Sequence, residues 1–436
     1  MNDTLTLLLQ KLDENRPRHH VLEQYYAGQQ PLSFLAPEAR DALGNRFARI
    51  NANLPRLAIT ALAERLRVVG FRGVDVWEDW QRCDMEELSR VAHREALLLG
   101  QAYMICWTDR YGRPLVTVES AQQMTALRDP GTRRLTHALK KWETATTTEA
   151  VLYGPDVITR YRANQTGATT AGFYVVDEIA NPLGVPPVVR LLNSDRILDE
   201  GVSEINDLIP ITDMLSKLLA DILVSSENAA RPRRYASGIA LEERPVVDED
   251  GIDTGETEDV NPFGENDKMM ISENDAARFG QLDAADLAGY ERAVDIALTM
   301  ASAVSSLPPH MLGIMHDNPS SADAIRSAEA GLTAKAEARQ AQFGRTHEDL
   351  ARLIVAVRDG VDPQRVDVRV EWADPSTRSV SADADATVKL VQAGVLPVTW
   401  ALKRLGYTDE AIDEIRTARR TEALDAQAVD LSKLVN

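Results

Sequence analysis

Apolar residues at Leu5, Leu8, Leu9 and Leu12, and again at Leu22, Tyr25 and Tyr26, recur at the spacing of one helical face, with Pro17 expected to interrupt the helix between them. The run from Asn53 to Leu66, through Leu57, Ile59 and Leu62, predicts an amphipathic helix. Val68-Val69-Gly70-Phe71 then reads as the start of a strand, and residues 86–99 read as a helix closed by Gly100. Strand patterns follow at 102–108, 114–119, 149–153, 157–162 and 172–176, the first two joined by the turn Asp109-Arg110-Tyr111-Gly112. Together these predict an α+β unit with a sheet of hairpins.

After a turn-rich stretch and the short apolar run 188–192, the texture changes at Gly201-Val202-Ser203-Glu204-Ile205. From Ser203 to about Asn228, apolar residues including Ile205, Leu208, Leu215, Leu219 and Ile222 fall on one helical stripe, which Pro210 either starts or kinks. Residues 283–304 predict a second such helix, and each would be about 30 to 40 Å long. Between them, residues 246–275 hold eleven carboxylates against the single basic Lys268, a composition that makes little core and suggests a hairpin with an acidic tip near 250–255. Next comes a loop, Ser305 to Asp317, in which Pro308, Pro309 and Gly313 argue against helix. It leads into a helix whose start is well marked by Asn318, Pro319, Ser320, Ser321 and Asp323. Residues 366–372 alternate as a strand, and 382–434 read as short helices punctuated by Gly394, Pro397 and Gly406.

Composition narrows the function. The 436 residues suffice for two or three folding units, and with 5% aromatics and abundant Ala, Leu and acidic residues the expected fold is α+β, mainly helical. A net charge of −19 argues against a protein that grips nucleic acid by neutralising phosphates, so any contact with DNA should be loose. Cys83 and Cys106 make no disulfide framework, no apolar run is long enough to span a bilayer, and a reducing cytoplasm is the expected setting. No glycine-rich phosphate loop ending in Lys-Ser or Lys-Thr occurs, which excludes the ATPase motor class. His93-Arg94-Glu95 and His347-Glu348 each lack the second histidine of a helical zinc site and read as solvated or core histidines. The tract from Asp248 to Glu256 places its glycine too early for an EF-hand and reads as a solvated acidic loop. No nucleophile constellation stands out, so neither an enzyme nor a cofactor is expected.

Several pieces occur in a fixed order: Tyr25-Tyr26-Ala27-Gly28, Asn53-Leu54-Pro55, residues 97–103, Gly201 to Ile205 leading to Ser226-Glu227-Asn228, then Leu307-Pro308-Pro309 and Asn318-Pro319-Ser320-Ser321. In this order the chain resembles the portal proteins of tailed bacteriophages, of the siphophage type. The resemblance implies a wing at 1–202, stem helices at 203–229 and 282–304, a clip at 230–281, a tunnel loop at 305–317, a long helix and strand returning to the wing at 318–374, and a short helical crown at 375–436. It implies a ring of about twelve copies at one capsid vertex. Double-stranded DNA would pass through it without sequence specificity during packaging and ejection. The terminase large subunit, a head-completion adaptor, and the major capsid and scaffolding proteins would be its partners, with no membrane involved. The virion would be its location, after assembly in the host cytoplasm.

The same resemblance points Leu307, Pro308, Pro309, His310, Met311, Leu312 and Met315 at the DNA, and Arg231, Arg233, Arg234, Asp248, Glu249 and Asp250 at docking partners. Glu204, Asp207, Asp213, Asp221 and Glu227 outnumber Lys217 on the first stem helix, so they would line the channel as a wall that repels phosphates and lets DNA slide. Two rival readings stand beside this one: a capsid-associated structural protein without a channel, and a metal-dependent nuclease.

Overall fold

Helix α1 (Asp3–Ala27) runs through Pro17 without a break, contrary to the interruption expected there. A proline inside a helix costs about 3 kcal/mol. Leu5, Leu8, Leu9 and Leu12 before it, and Leu22 and Tyr25 after it, are all buried, and at about 1.5–3 kcal/mol each they outweigh that cost. The structure is a computed structural model describing residues 3–32, 51–230, 234–238, 242–247, 253–260, 276–281, 288–314, 322–376, 380–405, 407 and 409–432.

Asn53 caps α2 (Leu54–Ala63) by accepting a hydrogen bond from the Arg56 amide at 3.2 Å. Strand β1 (Val68–Arg72) and the short helix α3 (Trp77–Arg82) lead to α4 (Met85–Leu99), which ends at Gly100 with φ 87°. Eight strands follow: β2 (Gln101–Thr108), β3 (Pro114–Ser120), β4 (Met124–Arg128), β5 (Leu135–Glu143), β6 (Thr148–Tyr153), β7 (Val157–Ala163), β8 (Tyr174–Ala180) and β9 (Val188–Leu192). They form a three-stranded antiparallel sheet in the order β3-β2-β9 and a five-stranded meander β4-β5-β6-β7-β8. Strands β4 and β5 were not expected, and β8 lies later than the 172–176 expected for it.

A 3-10 turn at Asn206–Leu208 precedes α5 (Ile209–Ala230), so Pro210 starts this helix in its first turn, where the missing amide costs nothing. The insertion contains two nested antiparallel pairs. Strand β10 (Arg234–Ser237) pairs with β13 (Arg278–Gln281), and inside them β11 (Glu242–Val247) pairs with β12 (Asp253–Val260). The expected hairpin is present; of its acidic tip, residues 250–252 lie outside the described residues and 253–255 begin β12. Helix α6 (Ala288–Ser305) packs against α5. The following loop, expected to contain no helix, makes one 3-10 turn at Pro309–Leu312, which Gly313 at φ 71° ends. Helix α7 (Ala322–Asp359) has 38 residues and spans about 57 Å; its expected cap at Asn318 and Pro319 lies outside the described residues.

Strand β14 (Arg369–Trp372) pairs antiparallel with β1 and ties the end of α7 to the amino-terminal half. Helices α8 (Val380–Gln392), α9 (Val398–Arg404) and α10 (Asp409–Ser432) complete the chain, the last longer than the short helices expected. With 50% helix and 21% strand the fold mixes helix and sheet, as the α+β expectation has it.

The main core joins α2, α4, β2, β9, the start of α5, α6 and α7 around Ile59, Leu97, Met104, Leu191, Leu208, Ala301 and Phe343. A second cluster sets Leu5, Leu8 and Leu9 on Leu139, Leu152 and Tyr161 of the five-stranded sheet. Where α4 ends, two glycines cross: Gly100 at φ 87° and Gly201 at φ 118° lie so close that a Cβ on Gly201 would meet the Gly100 carbonyl oxygen at 2.5 Å. This explains glycine at the head of Gly201-Val202-Ser203-Glu204-Ile205. The Glu204 amide donates to Leu97 O at 2.9 Å, and the Asn193 side-chain amide donates to Val202 O at 2.7 Å, so the lead-in to α5 is fixed on the end of α4.

Candidate functional site

The lead-in to α5, the base of the 305–314 loop and α7 meet at Glu204. Its carboxylate, 7% exposed, lies 2.7 Å from Lys335 Nζ and 2.7 Å from Arg339 Nη2, and it also accepts from Asn193 Nδ2 at 3.0 Å. Lys335 and Arg339 are one turn apart on α7, beside the buried Leu332, Ala336 and Phe343, so the helix that fills the core also delivers both cations. Arg339 extends the network to Asp195 at 2.6 Å, and Lys335 donates to Ser305 O at 3.5 Å, at the foot of the loop. Burial raises the Glu204 carboxyl, but Lys335 and Arg339 outweigh it and hold the group below its usual value. Glu204 is therefore a buried, paired charge in a joint. It does not line an open wall, as its position on the helix face had suggested; two cations from a helix over a hundred residues downstream cover it.

The other expected wall residues divide. Asp207 is exposed. Asp213 accepts from Tyr25 Oη at 2.8 and 2.9 Å, which ties α5 to α1. Asp221 is paired with Lys217 one turn earlier. The Glu227 side chain lies outside the described residues, as do Arg231, Arg233, Asp248, Glu249, Asp250, Met315 and the side chain of Arg234. Where α5 and α6 pack, Leu215, Ala220, Ala297 and Ala301 are buried. On the outer side of α6, Ile296 (60% exposed), Met300 (47%) and Val304 (44%) follow one another at four-residue spacing.

The loop after α6 is anchored over most of its described length. Leu307 and Pro308 are buried, and Met311 and Leu312 pack half-buried against the main core. Ser305 Oγ donates to Ala301 O at 2.6 Å and accepts from the Leu307 amide at 3.2 Å. His310 Nε2 lies 3.5 Å from Glu329, which Arg65 also engages at 3.0 Å. The expectation that Leu307 and Pro308 touch DNA is corrected: they fill the core at the loop's base.

Two histidines read singly from the sequence meet each other. His93 on α4 and His347 on α7 are fully buried with their Nε2 atoms 2.7 Å apart, packed among Trp80, Phe343 and Trp372. His93 Nδ1 faces the Leu66 carbonyl at 3.2 Å, which only accepts, so His93 donates from Nδ1 and its Nε2 accepts from His347. Burial pushes His93 down to about 3 and His347 well below the usual histidine value, so both are neutral. The core-histidine reading holds for both. Lys335 and Arg339, which complete the joint, were missed; their one signal is two cations a turn apart on the apolar face of a helix.

Among the described residues, no helix is long and apolar enough to cross a membrane, and no group of three or more His, Cys, Asp or Glu is placed to hold a metal ion. The chain is similar to a portal protein of Mycobacterium phage D29, 32% identical over 395 residues, covering 85% of this chain and 79% of that protein. A portal protein of Mycobacterium phage L5 is 31% identical, at 85% and 78% coverage. Among solved structures, a chain from the neck of a native gene transfer agent particle, computed with C12 symmetry, aligns with a TM-score of 0.46 and 14% identity over 88% of this chain and 97% of its own. The family described as phage portal protein, SPP1 Gp6-like, matches residues 6–424, and with curated relatives above 30% identity over most of its length the chain belongs to that family.

Proposed function

We propose that this portal protein closes into a ring of about twelve copies at one capsid vertex, with double-stranded DNA passing through the hole during packaging and ejection. The observation that carries this reading is the uncovered stripe Ile296, Met300 and Val304 on α6, large apolar side chains that a neighbouring copy of the helix pair would cover. On this reading residues 203–229 and 282–304 form the stem. Residues 230–281 form a clip that docks the terminase large subunit and later the head-completion adaptor, with Arg231, Arg233, Arg234, Asp248, Glu249 and Asp250 supplying rim charge that speeds encounter. Residues 1–202 and 318–374 form the wing, facing the major capsid and scaffolding proteins, and 375–436 form the crown.

Within the channel, the DNA-facing part of the loop begins near Gly313 and includes Met315, beyond the anchored base. Asp207 is the exposed carboxylate of the stem's lead-in and contributes to a wall that repels phosphate; Glu204 has no part in it. The protein resides in the virion after assembly in the host cytoplasm.

Gold labelling of a tag on the chain in assembled particles tests this reading. One labelled vertex per particle is expected, with DNA-free capsids when the chain is withheld. Label on many vertices would favour a capsid-associated protein without a channel.

A further inference from the structure

In a chain of net charge −19, one groove concentrates positive charge. It has a volume of about 860 Å³ and lies between α7, β9 and the β4 end of the five-stranded sheet, lined by seven arginines and two aspartates over a floor that includes Val188, Leu192 and Leu353. Four of the arginines are in ion pairs, Arg365 with Asp362 at 3.8 Å. Arg128 and Arg190 pair with Glu200 at 3.5 and 3.2 Å, and Arg352 pairs with Asp349 at 2.5 Å. The rim is different. Arg134 and Arg345 are exposed, and among the described residues neither has an ion-pair partner. Arg134 stands on a preformed turn, because Asp129 accepts from the amides of Gly131 and Thr132 at 3.1 and 2.6 Å, and Arg133 there takes φ 60°.

The opposite edge of the same sheet has the complementary character. Every residue of β8 is exposed; Tyr174, Val175, Val176 and Ile179 are each 40 to 50% exposed, and Asp177 and Glu178 sit among them without ion-pair partners in the described residues. A seven-residue edge strand that is apolar and open on its free side is a liability unless something covers it. Sheet order places β8 four strand spacings from β4, about 19 Å away, so its side chains cannot reach the groove of their own chain. Two different, complementary surfaces at opposite edges of one rigid sheet are what a head-to-tail contact requires, since each copy must present both halves.

We infer that β8 of one copy seats against the arginine-rimmed groove of the next, Asp177 and Glu178 meeting Arg134 and Arg345 while the apolar side chains flanking them leave water. This deepens the ring reading and rests on it. A phosphate backbone would use the rim charge but leave the exposed apolar residues of β8 uncovered, which favours the protein strand as occupant.

A charge-swap mixing experiment tests it by mass photometry and electron microscopy. Two variants are made from exposed residues, a groove variant (Arg134→Glu with Arg345→Glu) and a strand variant (Asp177→Arg with Glu178→Arg), each checked for native circular dichroism. Each alone places like charges across every contact, and its ring fraction should fall at least about tenfold. Mixed in equal amounts, alternating copies restore opposite charges at every contact, and rings should return to near the wild-type level. Wild-type ring yield from either variant alone, or a mixture no better than its components, would overturn the contact while leaving the ring reading intact. Intact rings of the groove variant that have lost binding to a short DNA duplex would assign the groove to nucleic acid instead. A wild-type chain that never forms rings would overturn both.

Discussion

Glu204→Ala should lower the stability of the chain by about 3 kcal/mol at pH 7, because it strips the buried guanidinium of Arg339 and the ammonium of Lys335 of their shared counter-charge. Asp195 remains beside Arg339 but is itself largely exposed, so it compensates only in part. Glu204→Gln keeps the shape and some hydrogen bonds and should cost less. The pH dependence distinguishes a charge effect from a packing effect. The folded-state value of Glu204 is lowered, so its contribution is fully present above the ordinary carboxylate value of 4.5 and is lost as pH falls through the lower folded value. Urea midpoints of the wild type and Glu204→Ala should therefore converge below about pH 4. A deficit under about 1 kcal/mol at pH 7, or one that does not shrink in acid, would show that this joint is not held by charge.

Acidification from pH 7 to pH 5 should itself destabilise the protein, with the His93–His347 pair contributing about 4 kcal/mol. In the unfolded chain both rings take up protons below the ordinary value of 6.5. In the folded chain burial holds His93 down to about 3 and His347 well below 6.5, so folding excludes those protons. No penalty exists above 6.5; it grows as pH falls from there toward the folded values. Replacing both histidines by leucine should flatten this part of the pH profile, whatever it does to stability at pH 7. An unchanged slope between pH 7 and pH 5 in the double variant would contradict a neutral buried pair. The pair joins α4 to α7, and Trp372 of β14 packs against both rings.

Elements with one buried face were legible in the sequence. Helix α4 with its Gly100 stop, the alternating strand β3, and α5 and α6 all show the period and punctuation their geometry demands. Strands β4 and β5 did not, and burial explains it. Ala138, Leu139 and Lys141 on consecutive sides of β5 are all buried, Lys141 by reaching Asp13 of α1 at 3.4 Å, so the alternation that marks a one-sided strand is lost. The continuity of α1 was hidden because Pro17 is a local signal while the burial on either side of it is tertiary. For the site, the order of short motifs led to the family. The partners of Glu204 lie 131 and 135 residues later, and no local pattern announces such a meeting. His93 and His347 were each legible as core histidines, but their contact was not, because it depends on α7 folding back across α4.

The central claim, a channel-forming ring, is tested most directly by negative-stain electron microscopy of the purified protein, with mass photometry as a count of subunits. Closed rings of about twelve copies with a central opening are expected. A particle that remains monomeric at every accessible concentration, and that forms no rings in assembling capsids, would contradict it.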